Sequence, residues 1–295
     1  MSRFLNFASS LFFAGMMLVV PAFAAESLPA ETRKDIPYYP ENLAASGDAE
    51  YRALRVASWT STCPSAAGDK KPPTVVWFHG GGLTGGSKDM PAGFKNQPLI
   101  FVTANYRLLP KASATDAIED AAAAVAWAIT NVERLGGDPK KIYVSGHSAG
   151  GYLALMLGMN AAYLEKHGLK NTDLAGLYPV SAMATTHFAI LEAELAKSGK
   201  TKPAEFRRTN PIVVDAFAPL FYSDRKLPPI ALLCGDPKVE WPARVEENQL
   251  LAAMLRTVKD HNAVDFQSYP DTDHGSCVKP SVEWITAKIL GESPR

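Results

Sequence analysis

Residues 142–157 read IYVSGHSAGGYLALML, a short apolar strand candidate that runs through Gly146-His147-Ser148-Ala149-Gly150 straight into an apolar helix candidate. No other stretch restricts the fold as much. A strand that becomes a helix within one G-x-S-x-G turn forces its central serine into a strained backbone, and the flanking glycines leave room for the crossing. The serine hydroxyl then stands at the carboxyl edge of a sheet, with a helix N-terminus facing negative charge that develops beside it. Ser148 is therefore the candidate nucleophile.

The rest of the chain supplies the sheet that such a turn requires. Residues 74–78 (TVVWF), 99–103 (LIFVT), 142–145, 174–180, 230–234 and 264–269 are the expected strands, the first two being continuous apolar runs as found in strands buried on both faces. Residues 51–60 alternate with period two and predict an edge strand. Helical spacing covers 116–135, stopped by Gly136-Gly137, then 153–165, 244–259 and 282–290. Strands alternating with helices predict an α/β domain with a mostly parallel sheet covered on both faces. Residues 183–225 break that rhythm and predict an inserted cap, and the Pro-rich stretch 26–48 predicts an arm draped over the domain.

The first 24 residues belong to something else. Arg3, the apolar run 11–20, Pro21 and the small-x-small triplet Ala22-Phe23-Ala24 predict a signal peptide, a mature domain over 25–295 and export to the periplasm or the medium. The apolar run is too short for a good membrane span. With 30 basic and 30 acidic residues the chain has no net charge, which gives no reason to expect nucleic acid or an anionic membrane as partner. The three cysteines, Cys63, Cys234 and Cys277, allow at most one disulfide. Their spacing suits no zinc site. Cys234 and Cys277 are the expected pair, because both fall near the candidate site.

Around Ser148 the pattern fills in. His79-Gly80-Gly81-Gly82 follows the TVVWF strand, and consecutive glycines let backbone amides face a developing oxyanion without side chains in the way. Gly81 and Gly82, joined by the amide of Ala149, are the expected donors. Of six histidines, His274 in Asp271-Thr272-Asp273-His274-Gly275 lies between the last strand and the last helix, where the order serine, acid, histidine puts a general base. The acid belongs after the strand 230–234, in Gly235-Asp236-Pro237-Lys238-Val239-Glu240. Glu240, with more loop to reach back, is favoured over Asp236, which stays as the alternative.

On these residues the chain resembles the hormone-sensitive-lipase-like and acetyl/feruloyl-esterase-like branches of the α/β-hydrolase superfamily. The stretches that carry the resemblance are HGGGLTGGSKDMP (79–91), ANYRLLP (104–110), GGDPKKIYVSGHSAGGYLALML (136–157), ARVEENQLLAAML (243–255) and YPDTDHGS (269–276). The resemblance implies an α/β-hydrolase fold, a serine triad, an HGGG oxyanion loop and hydrolysis of carboxylic esters, often of short acyl chains or acetylated sugars. It implies no metal or organic cofactor. Relatives place an aspartate where this chain has Lys238, and alignment from the following helix puts Glu240 at the acid position. Residues 54–60 also lack the Leu-Asp-x-Tyr strand of the sugar-esterase branch. Phe188, Phe217 and Phe221 are candidate pocket walls. An amide-cleaving hydrolase on the same triad and a non-catalytic binding protein on the same fold are the rival readings.

Overall fold

The computed structural model describes residues 32–39, 55–60, 71–200, 212–223, 226–257 and 261–293. The expected signal peptide, Cys63 and part of the expected cap lie outside them. Within them, eight strands form one sheet, β1 (Thr32–Pro37), β2 (Arg55–Thr60), β3 (Thr74–Phe78), β4 (Ile100–Ala104), β5 (Ile142–His147), β6 (Gly176–Val180), β7 (Ile230–Cys234) and β8 (Val264–Ser268). Their spatial order is β1-β2-β4-β3-β5-β6-β7-β8. The six strands from β4 to β8 run parallel, while β1 and β2 pair antiparallel at one end.

Two expectations change here. The stretch 51–60 was expected as the sheet edge, yet β2 lies between β1 and β4. The edge is β1, drawn from the segment expected to be a loose arm. Its sequence, TRKDIP, has no apolar alternation to announce a strand. It suits an edge all the same, with Pro37 as its last residue and a register shift between Arg33 and Ile36, both features that edge strands accommodate.

The central strands are buried on both faces, and period-two alternation splits their side chains between two cores. Val76, Phe78, Val102, Val144 and Leu232 pack on one side under α1 (Ala114–Asn131), α2 (Ala149–Met159) and α5 (Arg244–Thr257). The short α3 (Ala162–Glu165) and α4 (Phe188–Lys197) contribute Leu164, Phe188 and Ile190 to that same core. Val75, Trp77, Phe101, Tyr178 and Leu233 face the other side, beneath α6 (Val278–Leu290).

Local chemistry sets the helix ends. Ser113 and Asp116 form a reciprocal capping box at the start of α1, an arrangement worth about 1 kcal/mol. The helix tightens to a 3-10 turn over Val132–Leu135, and Gly136, at φ 84°, ends it. The fully buried Asp120 of α1 receives Arg107 Nε at 2.8 Å, Arg107 N at 2.8 Å and Tyr39 Oη at 2.8 Å. Burial pushes this carboxyl up despite the facing guanidinium, and the cluster ties the β1 end of the chain to the loop after β4. No helix among the described residues is long and apolar enough to cross a membrane.

Candidate active site

The site lies at the carboxyl edge of the parallel strands, where the chain turns from β5 into α2. Ser148 sits in that turn with φ 55° and ψ −115°, a left-handed backbone that costs a non-glycine residue roughly 1–3 kcal/mol. Neighbouring glycines make the turn possible. A Cβ on Gly150 would collide with the carbonyl of Phe78 in β3, and one on Gly146 would come within 2.6 Å of the same oxygen. Ser148 N–H donates to Val180 O at 2.8 Å, which fastens the turn to the end of β6. The serine side chain caps nothing in α2, so its hydroxyl is left to face His274.

His274 Nε2 lies 2.9 Å from Ser148 Oγ, and His274 Nδ1 lies 2.8 Å from Glu240 Oε1. A carboxylate can only accept, so Nδ1 carries the proton and Nε2 is free to accept from the serine hydroxyl. The structure brings together Ser148, His274 and Glu240 in one hydrogen-bonded line. Asp236 is not part of it. Its oxygens accept from Asp271 N and Lys238 N, each at 2.9 Å, and these bonds hold its carboxyl below the usual range. The reason is local: Asp236 O accepts the amides of Val239 and Glu240 at 3.0 and 2.8 Å. That single helical turn carries Glu240 back to the histidine and leaves Asp236 on the outer side.

Glu240 has no exposed side-chain surface. Its Oε1 also accepts from Trp241 N at 2.8 Å, and its Oε2 from Ser181 Oγ at 2.8 Å and Gly235 N at 3.2 Å. Burial works to raise this carboxyl, but the hydrogen bonds from His274, Trp241 and Ser181 and the charge of His274 outweigh it. They hold the carboxyl at about 2.

The glycine loop closes the other side. His79 Nδ1–H donates to Gly80 O at 2.7 Å, and the ring stacks on Tyr106 at 4.3 Å. Gly81 O accepts from Thr84 N and Gly85 N at 3.1 and 3.0 Å. In a planar trans peptide the N–H points opposite the C=O, so the amides of Gly81 and Gly82 are directed away from those contacts. Both glycines have positive φ, 110° and 65°. They line a cavity of about 230 Å³ with Thr84, His147, Ser148, Phe188, Trp241 and His274. Ala149, fully buried, follows the serine as the first residue of α2.

Several neighbours escaped the sequence reading. Trp241 stacks face to face on His274, with centroids 4.4 Å apart and planes 20° apart, while 41% of it stays exposed. His147 Nε2–H donates to the backbone carbonyl of His274 at 2.6 Å. Burial, with the nearby His274, pushes the His147 ring down to about 4, so it is neutral at ordinary pH. Ser181 touches both Glu240 and His274. The only sequence signal for it was a polar residue directly after the strand next to β5. Of the three candidate phenylalanines, Phe188 lines the cavity. Phe217 packs against the core and Phe221 is exposed.

The expected disulfide is also absent: Cys234 and Cys277 are both free and buried. Cys277 Sγ is directed at the carbonyl of His274, 3.4 Å away, and burial raises the Cys277 thiol to about 12, which disfavours the thiolate that disulfide exchange needs.

A doubly wound, mostly parallel sheet with a strained serine between a glycine loop and a histidine–carboxylate pair defines an α/β-hydrolase of the serine type. The BD-FAE family model matches residues 63–244, and the chain belongs to that family. Versiconal hemiacetal acetate esterase of Dothistroma septosporum is 32% identical over 242 residues, 73% of this chain and 70% of that protein. Esterase LipI of Mycobacterium tuberculosis is 37% identical over 134 residues. The chain spans 41% of the length of LipI and 51% of that of carboxylesterase NlhH from the same organism. Among solved structures, esterase 2 of Thermogutta terrifontis, phosphoramylated by tabun, superposes with a TM-score of 0.63 at 20% identity, covering 91% of this chain and 97% of that one. Its butyrate-bound form gives a TM-score of 0.61 at 20% identity, covering 92% and 98%. At that identity the likeness is one of fold.

Proposed function

We propose that this chain is a serine carboxylesterase that cleaves esters of short acyl groups. The observation that carries the reading is the unbroken line Ser148 Oγ–His274–Glu240, at 2.9 and 2.8 Å, opening on a cavity lined by Gly81 and Gly82. His274 takes the Ser148 proton as the hydroxyl attacks the ester carbonyl, and Glu240 keeps the imidazole in the required tautomer. The amides of Gly81, Gly82 and Ala149 stabilise the tetrahedral oxyanion. The alcohol leaves with the proton from His274. Water, activated by the same histidine, then releases the acid from the acyl-serine.

A cavity of about 230 Å³ lies below the usual range of about 300–1,000 Å³ for drug-sized ligands, and this favours small acyl groups. The printed name of the Dothistroma relative, an acetate esterase, supports the same size class. The N-terminal stretch of Arg3, an apolar run and Ala22-Phe23-Ala24 supports export of the enzyme.

Hydrolysis of p-nitrophenyl esters from acetate to decanoate, by protein beginning at Ala25 and by its Ser148→Ala variant, tests the proposal. Turnover is expected to be greatest on the shortest chains and to vanish in Ser148→Ala. Turnover that survives Ser148→Ala, or is absent at every chain length, overturns it.

A further inference from the structure

Ser181 is the residue directly after β6, and its backbone turns left-handed at φ 47°. Glycine would take that conformation without strain, whereas a residue with a Cβ is disfavoured there. The surroundings hold the serine in place from every side. Its N–H donates to Leu233 O at 2.7 Å, keeping it on the β6–β7 ladder. Its carbonyl accepts Arg244 Nη1 at 3.0 Å. Its side chain is wholly buried, with Oγ 2.8 Å from Glu240 Oε2 and 2.8 Å from His274 Nδ1. A strained residue that is pinned this thoroughly and aimed at two reacting partners is better explained by what its hydroxyl does than by packing.

The hydroxyl has one proton and two lone pairs. Glu240 Oε2 can only accept, so the proton goes there. A lone pair then faces His274 Nδ1–H, which is shared between Ser181 Oγ and Glu240 Oε1. The three groups close a ring: Glu240 is gripped through the oxygen that the histidine does not use, and the histidine gains a second acceptor on the same N–H.

We propose that Ser181 is a positioning residue of the triad. It fixes the rotation of the Glu240 carboxylate and of the His274 ring, so that Nε2 stays aimed at Ser148 while the proton passes between them. When His274 becomes an imidazolium, the charge on Nδ1–H is met by two oxygens. The inference rests on the proposed ester hydrolysis at Ser148 and adds a fourth side chain to it.

The test separates the hydroxyl from the backbone. Ser181→Ala removes the hydroxyl and keeps the strain, whereas Ser181→Gly removes both. Both variants are compared with wild type and Ser148→Ala in p-nitrophenyl acetate hydrolysis, with melting temperatures measured alongside. The expected result is a kcat lowered about 10- to 100-fold in both, as for loss of one hydrogen bond to a charged group, with KM within about twofold. Ser181→Gly is expected to melt higher than Ser181→Ala by about 1–3 °C, from relief of the left-handed strain. Activity would then follow the hydroxyl and stability the backbone.

If kcat instead recovers in Ser181→Gly together with its stability, or stays at the wild-type value in both variants, Ser181 is merely structural and the proposal is overturned. A wild type without Ser148-dependent turnover would overturn the esterase reading itself, and the role of Ser181 with it.

Discussion

Replacing Glu240 by glutamine while leaving Asp236 alone, and the reverse, decides which carboxylate the reaction uses. Glutamine has nearly the same shape and retains an oxygen to accept from Ser181 or Gly235, but it carries no charge. In wild type the full charge of Glu240 stands 2.8 Å from His274 Nδ1, which at an effective dielectric constant of about 20 is worth about 6 kcal/mol to the imidazolium. The amide dipole of glutamine returns part of this, and it also allows the wrong imidazole tautomer. A net loss of about 4–5.5 kcal/mol remains, so kcat is expected to fall about 10³- to 10⁴-fold. Asp236→Asn leaves His274 untouched, since the Asp236 carboxylate accepts from Asp271 N and Lys238 N and not from the histidine, and should change kcat less than about threefold. Initial rates on p-nitrophenyl acetate, with folding checked by circular dichroism, provide the measurement. A large loss in Asp236→Asn beside a mild one in Glu240→Gln would refute the reasoning.

Two other outcomes follow from the same geometry. Trp241→Ala strips the ring that stacks on His274 and walls the cavity beside Phe188. It should lower kcat/KM for acetate about 3- to 10-fold and shift the preference towards longer acyl chains, and an unchanged chain-length profile would count against Trp241 as a wall. Glu240 is held at about 2 in the folded chain against 4.5 for an ordinary glutamate, so the unfolded chain takes up its proton first as pH falls. The stability it contributes is complete above pH about 4.5 and lost on the way down to about 2. Urea midpoints taken between pH about 6 and about 3 should therefore show the advantage of wild type over Glu240→Gln shrinking with acid, and a constant gap would contradict the assignment.

The legible parts of the molecule were those where physics leaves one answer. Apolar runs such as TVVWF and IALLC can only be central strands in a chain with this alternation, and G-H-S-A-G between strand and helix can hardly be anything but the observed turn. Contacts made across the fold were less visible. Nothing in TRKDIP signals β1, because an edge strand needs no buried face to pair. The preference for Glu240 over Asp236 rests on loop reach and on alignment from the following helix, yet the turn closed by Asp236 O and Glu240 N is a three-dimensional fact. Ser181 and Trp241 follow no local pattern, since their partners stand between 33 and 93 residues away in sequence. The Cys234–Cys277 pairing failed because closeness to one site does not make two thiols bond. Both are buried, and burial raises both thiols, which disfavours the thiolate that a disulfide forms from.

The α5 helix grips the chain just where it leaves the sheet. Arg244 Nη1 and Asn248 Nδ2 hold the carbonyls of Ser181 and Ala182 at 3.0 and 2.8 Å. Glu247 Oε2 takes the amides of Ala184 and Thr185, each at 3.1 Å, and the Thr185 hydroxyl at 2.8 Å. The residues that lead out of β6, 181–185, are thus bolted to α5, and Leu220 N–H donates to Ala184 O at 2.8 Å on the same bracket. The catalytic line hangs from the same bracket, because the Ser181 whose carbonyl Arg244 holds is the residue whose hydroxyl reaches Glu240. Three side chains of one helix, Arg244, Glu247 and Asn248, thereby moor both the catalytic line and the chain that leads away from it.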